Sequence, residues 1–142
     1  MSEFHAAIAI ESLTLLDKSV FRRNSINKHY RMRLKEIPGI SFQKVADNDL
    51  STYKDMGIVI DKNLFGLDRD QLITELQKEG ISTKRYFYPP LHKMKAYLDL
   101  GIVAQNLPHT DYIANNILCL PMYTHMALDT VDKICFAIFQ SL

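Results

Sequence analysis

Cysteine, glycine and proline are scarce in this chain, at two, five and five residues out of 142. So little glycine and proline, with 47% apolar and 23% charged residues, excludes collagen-like, low-complexity and disordered classes. Cys119 and Cys135 both lie in apolar stretches and read as reduced core thiols rather than a disulfide. No apolar run approaches the roughly 18–20 residues of a membrane span. The opening Met-Ser-Glu-Phe-His lacks the basic-then-apolar build of a signal peptide. Charge of one sign is missing too. Seventeen Lys and Arg against sixteen Asp and Glu leave +1, which gives no general pull toward nucleic acid or an anionic membrane. A Gly-rich phosphate loop and a Gly-x-Ser-x-Gly elbow are also lacking. What remains is one globular, cytoplasmic domain over 1–142.

Residues 2–36 contain no Gly or Pro and are predicted as one long helix, stopped by Ile37-Pro38-Gly39. In its second half Ile26, Tyr30, Leu34 and Ile37 fall within roughly 80° of arc, a single apolar stripe. The first half is different. Phe4, Ile8 and Leu15 form one face, Leu13, Leu16 and Val20 a second, and Ile10 and Phe21 a third. A helix apolar nearly all round needs cover on several sides, so something that belongs against residues 4–21 is expected beyond the body of the domain.

Strands are predicted at Ile40–Phe42, Tyr53–Ile60, Ile81–Tyr86 and Leu118–Leu120. Asp68, with Gln71 three residues on, resembles a capping box for a helix through Leu72, Ile73 and Leu76 that stops at Gly80. Short helices are expected around Lys93–Leu98 and Thr110–Ile117, with a Gly-containing connection between them up to Leu107-Pro108. Asp129 is expected to cap a last helix whose Val131, Ile134, Cys135, Ile138, Phe139 and Leu142 keep helical spacing. The economical architecture is α+β: a small mixed or antiparallel sheet with packed helices. Residues 1–37 form the long helix and 38–142 the sheet-and-helix body.

The stretch richest in chemistry is Thr83-Lys84-Arg85-Tyr86-Phe87-Tyr88-Pro89-Pro90-Leu91-His92-Lys93. Two prolines fix its backbone, and three aromatics supply flat contact area at little entropic cost. Lys84, Arg85, Lys93 and Lys95 are cations suited to a phosphate or diphosphate. His92 suits general acid/base work or donation to a ligand. The competing reading is structural: the aromatics plug the core beneath a loop, the cations solvate it, and His92 packs. Cys119, Met122, His125 and Met126 are soft-metal ligand types, but they straddle a strand end and a turn, and the remaining histidines lack metal-ligand spacing. No metal site is expected.

Three segments together resemble a known family. Met1-Ser2-Glu3-Phe4-His5-Ala6-Ala7-Ile8, continuing through Leu13 to Tyr30, is similar to the Arg-Met-Ser-Glu-x-x-Ala-Ala-Ile helix of DegT/StrS-type sugar aminotransferases. Gly80-Ile81-Ser82-Thr83-Lys84-Arg85-Tyr86-Phe87-Tyr88-Pro89-Pro90-Leu91-His92 resembles that family's Gly-Ile-x-Thr-Arg-x-Tyr-Phe-x-Pro-x-His loop. Leu118-Cys119-Leu120-Pro121-Met122-Tyr123 matches its Leu-x-Leu-Pro-x-Tyr. The resemblance implies the small domain of a fold-type I, pyridoxal-phosphate-dependent enzyme that aminates nucleotide-linked keto sugars, typically as a homodimer. It further implies that Tyr86, Phe87, Tyr88 and His92 line the substrate side of the cofactor site, and that Arg85 or Lys93 meets the nucleotide phosphates.

The family places its Schiff-base lysine, and the aspartate that pairs with the pyridine nitrogen, in a large domain before the Met-Ser-Glu helix. None of the eleven lysines here stands in such a context. Ala9 replaces a common glycine. The expectation is therefore a C-terminal small domain that holds no cofactor and performs no catalysis by itself. Residues 4–21 would pair with a large domain, a complementing subunit or a second copy.

Overall fold

The computed structural model describes residues 1–101 and 106–142. The long helix is divided at Leu15 into α1 (Glu3–Thr14) and α2 (Leu16–Leu34). The cause is local. Ser12 Oγ donates to the Ile8 carbonyl at 2.8 Å and Thr14 Oγ1 to the Glu11 carbonyl at 2.6 Å, and hydroxyls bonded back onto a helix disturb its ladder. Leu15 N–H then bonds the Ser12 carbonyl at 3.2 Å. No residue of α1 is buried. In α2 the predicted stripe faces inward: Ile26, Tyr30, Leu34 and, just past the helix, Ile37 are buried.

The turn after α2 depends on Gly39, at φ +79°. A Cβ there would lie 2.5 Å from the Phe65 amide nitrogen and 2.7 Å from the Asp61 carbonyl oxygen, so both the dihedral and the space demand glycine. Three antiparallel strands follow in the order β1-β2-β3: β1 (Ile40–Phe42), β2 (Met56–Ile60) and β3 (Ile117–Leu120). Ile40 pairs with Ile60, and Met56 with Leu120. Met56, Ile58 and Ile60 are buried while Gly57 and Val59 are not, the period-2 pattern of a sheet with one core face. The sheet is thus purely antiparallel, and the second strand begins at Met56 rather than Tyr53.

Residues between strands form α3 (Lys62–Phe65) and α4 (Arg69–Lys78). At the start of α4 the expected reciprocal cap is complete. Asp68 Oδ1 accepts from the Gln71 amide at 2.9 Å and Gln71 Oε1 accepts from the Asp68 amide at 2.9 Å. At its end Gly80 takes φ +71°. There the Ile81 amide reaches the Leu76 carbonyl at 2.9 Å and the Gly80 amide the Gln77 carbonyl at 3.0 Å, which is the Schellman arrangement.

Ile81–Tyr86 does not form the predicted strand. Its contact with β3 is one pair, Lys84 with Cys119, bonded both ways at 3.0 and 2.8 Å. The next hydrogen-bonded pair toward Ser82 would fall on Pro121, which has no N–H, and toward Tyr86 the chain turns into its Pro-Pro loop. That loop leads to a single 3-10 turn (Leu91–Lys93), α5 (Lys95–Leu98) and α6 (Pro108–Asn116). Part of the predicted connection before Leu107-Pro108 lies outside the described residues.

The chain ends in α7 (Leu128–Phe139). Its N-cap position is Ala127, without a side-chain bond, so Asp129 is not the cap. It lies in the first turn, where its charge suits the helix dipole. Val131, Ile134, Cys135 and Ile138 are buried, but Phe139 and Leu142 are 60% and 58% exposed. Phe139 is rotated about 100° from Ile138, and Leu142 lies beyond the helix end. Helices α2, α4 and α7 join the inner sheet face in one hydrophobic core, where each fully buried Leu or Ile contributes about 1.5–3 kcal/mol. Both cysteines are free and buried, and burial pushes the Cys135 thiol up to about 12, so it is no nucleophile. No helix among the described residues is long and apolar enough to cross a membrane.

Candidate functional site

The 84–94 loop leaves the sheet at Lys84, which is pinned to Cys119, and returns to α6. Within it Tyr86 and Phe87 stack, ring centroids 5.2 Å apart at 20°, and the Lys84 ammonium lies 5.4 Å from the Tyr86 centroid. The Tyr86 hydroxyl beside Lys84 raises the pKa of that ammonium. Phe87 is 73% exposed. With Pro90, Leu91, Met94 and Ile113, these two rings line an apolar groove of about 700 Å³. Rigid aromatic and aliphatic walls of this kind suit a ligand with a flat or apolar portion.

Tyr88 points elsewhere, to Arg69 at the start of α4. Arg69 is 3% exposed. Its Nη1 donates to the Ala114 carbonyl at 2.7 Å, and its Nε and Nη2 reach the two Asp70 oxygens at 2.9 and 3.3 Å. The same Asp70 takes Arg85 Nη2 at 3.1 Å. One carboxylate therefore serves two guanidiniums.

His92 and Lys93 form a third group, turned toward Asp111 in the first turn of α6. Lys93 Nζ lies 2.8 Å and His92 Nε2 3.1 Å from Asp111 Oδ1. The His92 approach is a close contact of two buried atoms rather than an aligned hydrogen bond. The Lys93 ammonium foremost, and His92 with it, hold the Asp111 carboxyl below the usual carboxylate range.

The six residues grouped by sequence, Arg85, Tyr86, Phe87, Tyr88, His92 and Lys93, are thus divided in three. Tyr86 and Phe87 face the groove, Arg85 and Tyr88 join Arg69 and Asp70, and His92 and Lys93 meet Asp111. Arg85 and Lys93 are already paired with carboxylates. Arg69, Asp70 and Asp111 were not visible to sequence reasoning. Their partners are brought by the fold, and the sole hint was a surplus of cations along 84–95 without a matching acid. All eleven lysines of the chain are exposed.

Among known proteins, the family model described as DegT/DnrJ/EryC1/StrS aminotransferase matches residues 1–139. An Escherichia coli dTDP-4-amino-4,6-dideoxy-D-glucose transaminase is 36% identical over 135 residues, which is 94% of this chain and 36% of the relative. The solved structure of DesI with its TDP-sugar product superposes with a TM-score of 0.89 at 27% identity, covering 99% of this chain and 36% of that one. An E. coli GDP-4-keto-6-deoxy-D-mannose-3-dehydratase with bound hydrated PLP shares the fold, at TM-score 0.81 and 22% identity over 93% of this chain and 34% of that one. The chain spans about 36% of the length of the curated relatives it matches, the share expected of a C-terminal small domain. On the match over nearly its whole length, the chain belongs to the DegT/DnrJ/EryC1/StrS aminotransferase family.

Proposed function

We propose that this chain is the substrate-facing small domain of a pyridoxal-phosphate-dependent aminotransferase acting on nucleotide-linked keto sugars in the cytoplasm. The observation that carries the reading is the Tyr86–Phe87 groove, with His92 and Lys93 on the same loop, in a chain of this family. In that role the aromatic walls hold the sugar nucleotide, His92 and Lys93 donate to it, and Asp111 keeps the two side chains in place.

The residues present do not fit the cofactor as a covalent partner. A Schiff-base lysine has to lose its proton to act as a nucleophile, which desolvation or a neighbouring cation brings about. Every lysine here is exposed, where water stabilises the ammonium. The chemistry therefore calls for a lysine from outside this chain. Two free, buried thiols favour a reducing compartment.

The test has two arms. Incubation with pyridoxal phosphate, borohydride reduction and peptide mass spectrometry are expected to show no adduct selective for the folded chain over a denatured control. One lysine labelled only when folded would overturn the cofactor argument. In the second arm the chain replaces the matching third of the E. coli relative. The chimera is expected to transaminate a nucleotide-linked keto sugar, and Phe87→Ala or His92→Ala to raise KM for that sugar far more than they weaken cofactor binding. Unchanged kinetics in both variants would sink the site.

A second reading is a non-catalytic or complementing subunit that pairs through residues 4–21. It is favoured by the exposure of Phe4 (73%), Leu13 (66%) and Phe21 (78%). Coexpression with a separately encoded large domain separates the two, since only a complementing subunit restores activity in trans.

A further inference from the structure

On α2, away from the 84–94 loop, Arg31 is held by neutral groups alone. Its Nε donates to Asn27 Oδ1 at 2.8 Å and its Nη2 to the Gln43 carbonyl at 2.7 Å. The guanidinium carbon lies 4.9 Å from the Phe42 ring centroid. Asn27 is itself fixed in the core, 4% exposed, with Nδ2 3.0 Å from Met56 Sδ. Among the described residues neither Arg31 nor Lys28, one turn before it, forms an ion pair. Arg31 is thus a cation aimed by a buried amide and left without a counter-ion, whereas Arg85 and Lys93 each have one.

Arg31 and Lys28 line a cavity of about 620 Å³ between α2 and the segment before β2. Ser25, Tyr53 and Phe21 also line it, and no Asp or Glu is among the lining residues. The far wall is fixed in an uncommon conformation. Tyr53 has φ +40°, a region costly for an aromatic residue. It is tied down through Ser51, whose Oγ accepts from the Tyr53 amide at 3.2 Å and whose carbonyl accepts from Asn24 Nδ2 at 2.9 Å.

Two cations, hydroxyl donors and no acid make a concave site complementary to an anion, and a guanidinium already oriented loses little freedom on binding. We propose that this cavity binds a phosphate-bearing ligand, with Arg31 and Lys28 on the phosphate and Ser25 and Tyr53 donating to it. A nucleotide extends from there to the exposed ring of Phe21; free phosphate does not.

The test is titration of the isotope-labelled full chain with inorganic pyrophosphate and, separately, with a nucleoside diphosphate, followed by amide chemical shifts. Saturable changes are expected at residues 24–31 and 53 with both probes, weakening as salt rises. Added shifts at Phe21 with the nucleoside diphosphate alone identify the nucleotide as the preferred source, and their absence identifies free phosphate. Arg31→Gln is expected to lower affinity about tenfold or more. Lys28→Gln, a change at an exposed position that leaves the Asn27 and Phe42 contacts intact, is expected to lower it by a smaller factor. Absence of saturation at concentrations on the order of 10 mM, or unaltered affinity in both variants, would overturn the proposal. Shifts confined to residues 84–94 would overturn it as well, while leaving the reading of that loop standing.

Discussion

Arg69 places its guanidinium 4.9 Å from the centroid of the Tyr88 ring, and by the same group bonds the Ala114 carbonyl at 2.7 Å. One buried cation thus ties the aromatic loop to both α4 and α6. Lysine has neither the planar face nor the fork needed for all these contacts. Arg69→Lys is expected to cost about 1.5–3 kcal/mol, the range for lost hydrogen bonds to a charged donor. It should also speed amide exchange across 86–94. A double-mutant cycle with Tyr88→Leu should return a coupling of about 0.5–1 kcal/mol; additive effects would mean that the ring contact contributes nothing.

Asp111 supplies a pH dependence. Its carboxyl is held below the ordinary range by Lys93 and His92, so on acidification the unfolded chain takes up this proton before the folded one does. The stabilisation is complete at neutral pH and is lost below about pH 4, as the folded carboxyl itself protonates. Asp111→Asn should therefore melt at a lower temperature than the parent at pH 7, and the gap should narrow once the pH is well below the ordinary carboxylate range. Melting curves equally separated at neutral and at such acidic pH would refute the assignment.

Gly39 and Gly80 make an internal contrast. Both have positive φ, but a Cβ at Gly39 meets backbone at 2.5 Å whereas one at Gly80 meets nothing within 4 Å. Gly80→Ala should cost about 1 kcal/mol, the strain of the left-handed region. Gly39→Ala adds overpacking and should reach about 2–4 kcal/mol. Denaturant midpoints for the two variants check the order.

The isolated chain is expected to self-associate through residues 4–21. None of α1 is buried, and Phe4, Ile10, Leu13 and Phe21 are each at least 66% exposed. Sedimentation should show a mass that rises with concentration, and Ile10→Ser together with Leu13→Ser should abolish the rise. A parent that stays monomeric at every concentration would remove the prediction.

Features written in local spacing were legible in the sequence. The Ile26–Tyr30–Leu34 stripe follows from helical periodicity, and the α4 cap and stop from Asp68, Gln71 and Gly80, each paired within a few residues. One misreading arose where a distant residue decides, the other from a shift of two positions. Ile81–Tyr86 has strand-like composition, but a ladder needs a partner with amides, and Pro121 has none. Asp129 stands where a cap is plausible, yet the chain enters the helix earlier, at Ala127. The site divides the same way. The aromatic run and its prolines stand out in composition, whereas Arg69 meets Ala114 across 45 positions and Asp111 reaches back to His92 across the α5–α6 connection.

The edges of the sheet bear on how this protein can misassemble. The outer side of β3 has its donor and acceptor at Cys119 taken by Lys84, and Pro121 ends the row. On the opposite side β1 is only three residues long. Neither border is a template on which a second chain can add a strand and propagate. Association of this protein is therefore expected to run through helical surfaces, and to saturate in small assemblies instead of growing into fibrils.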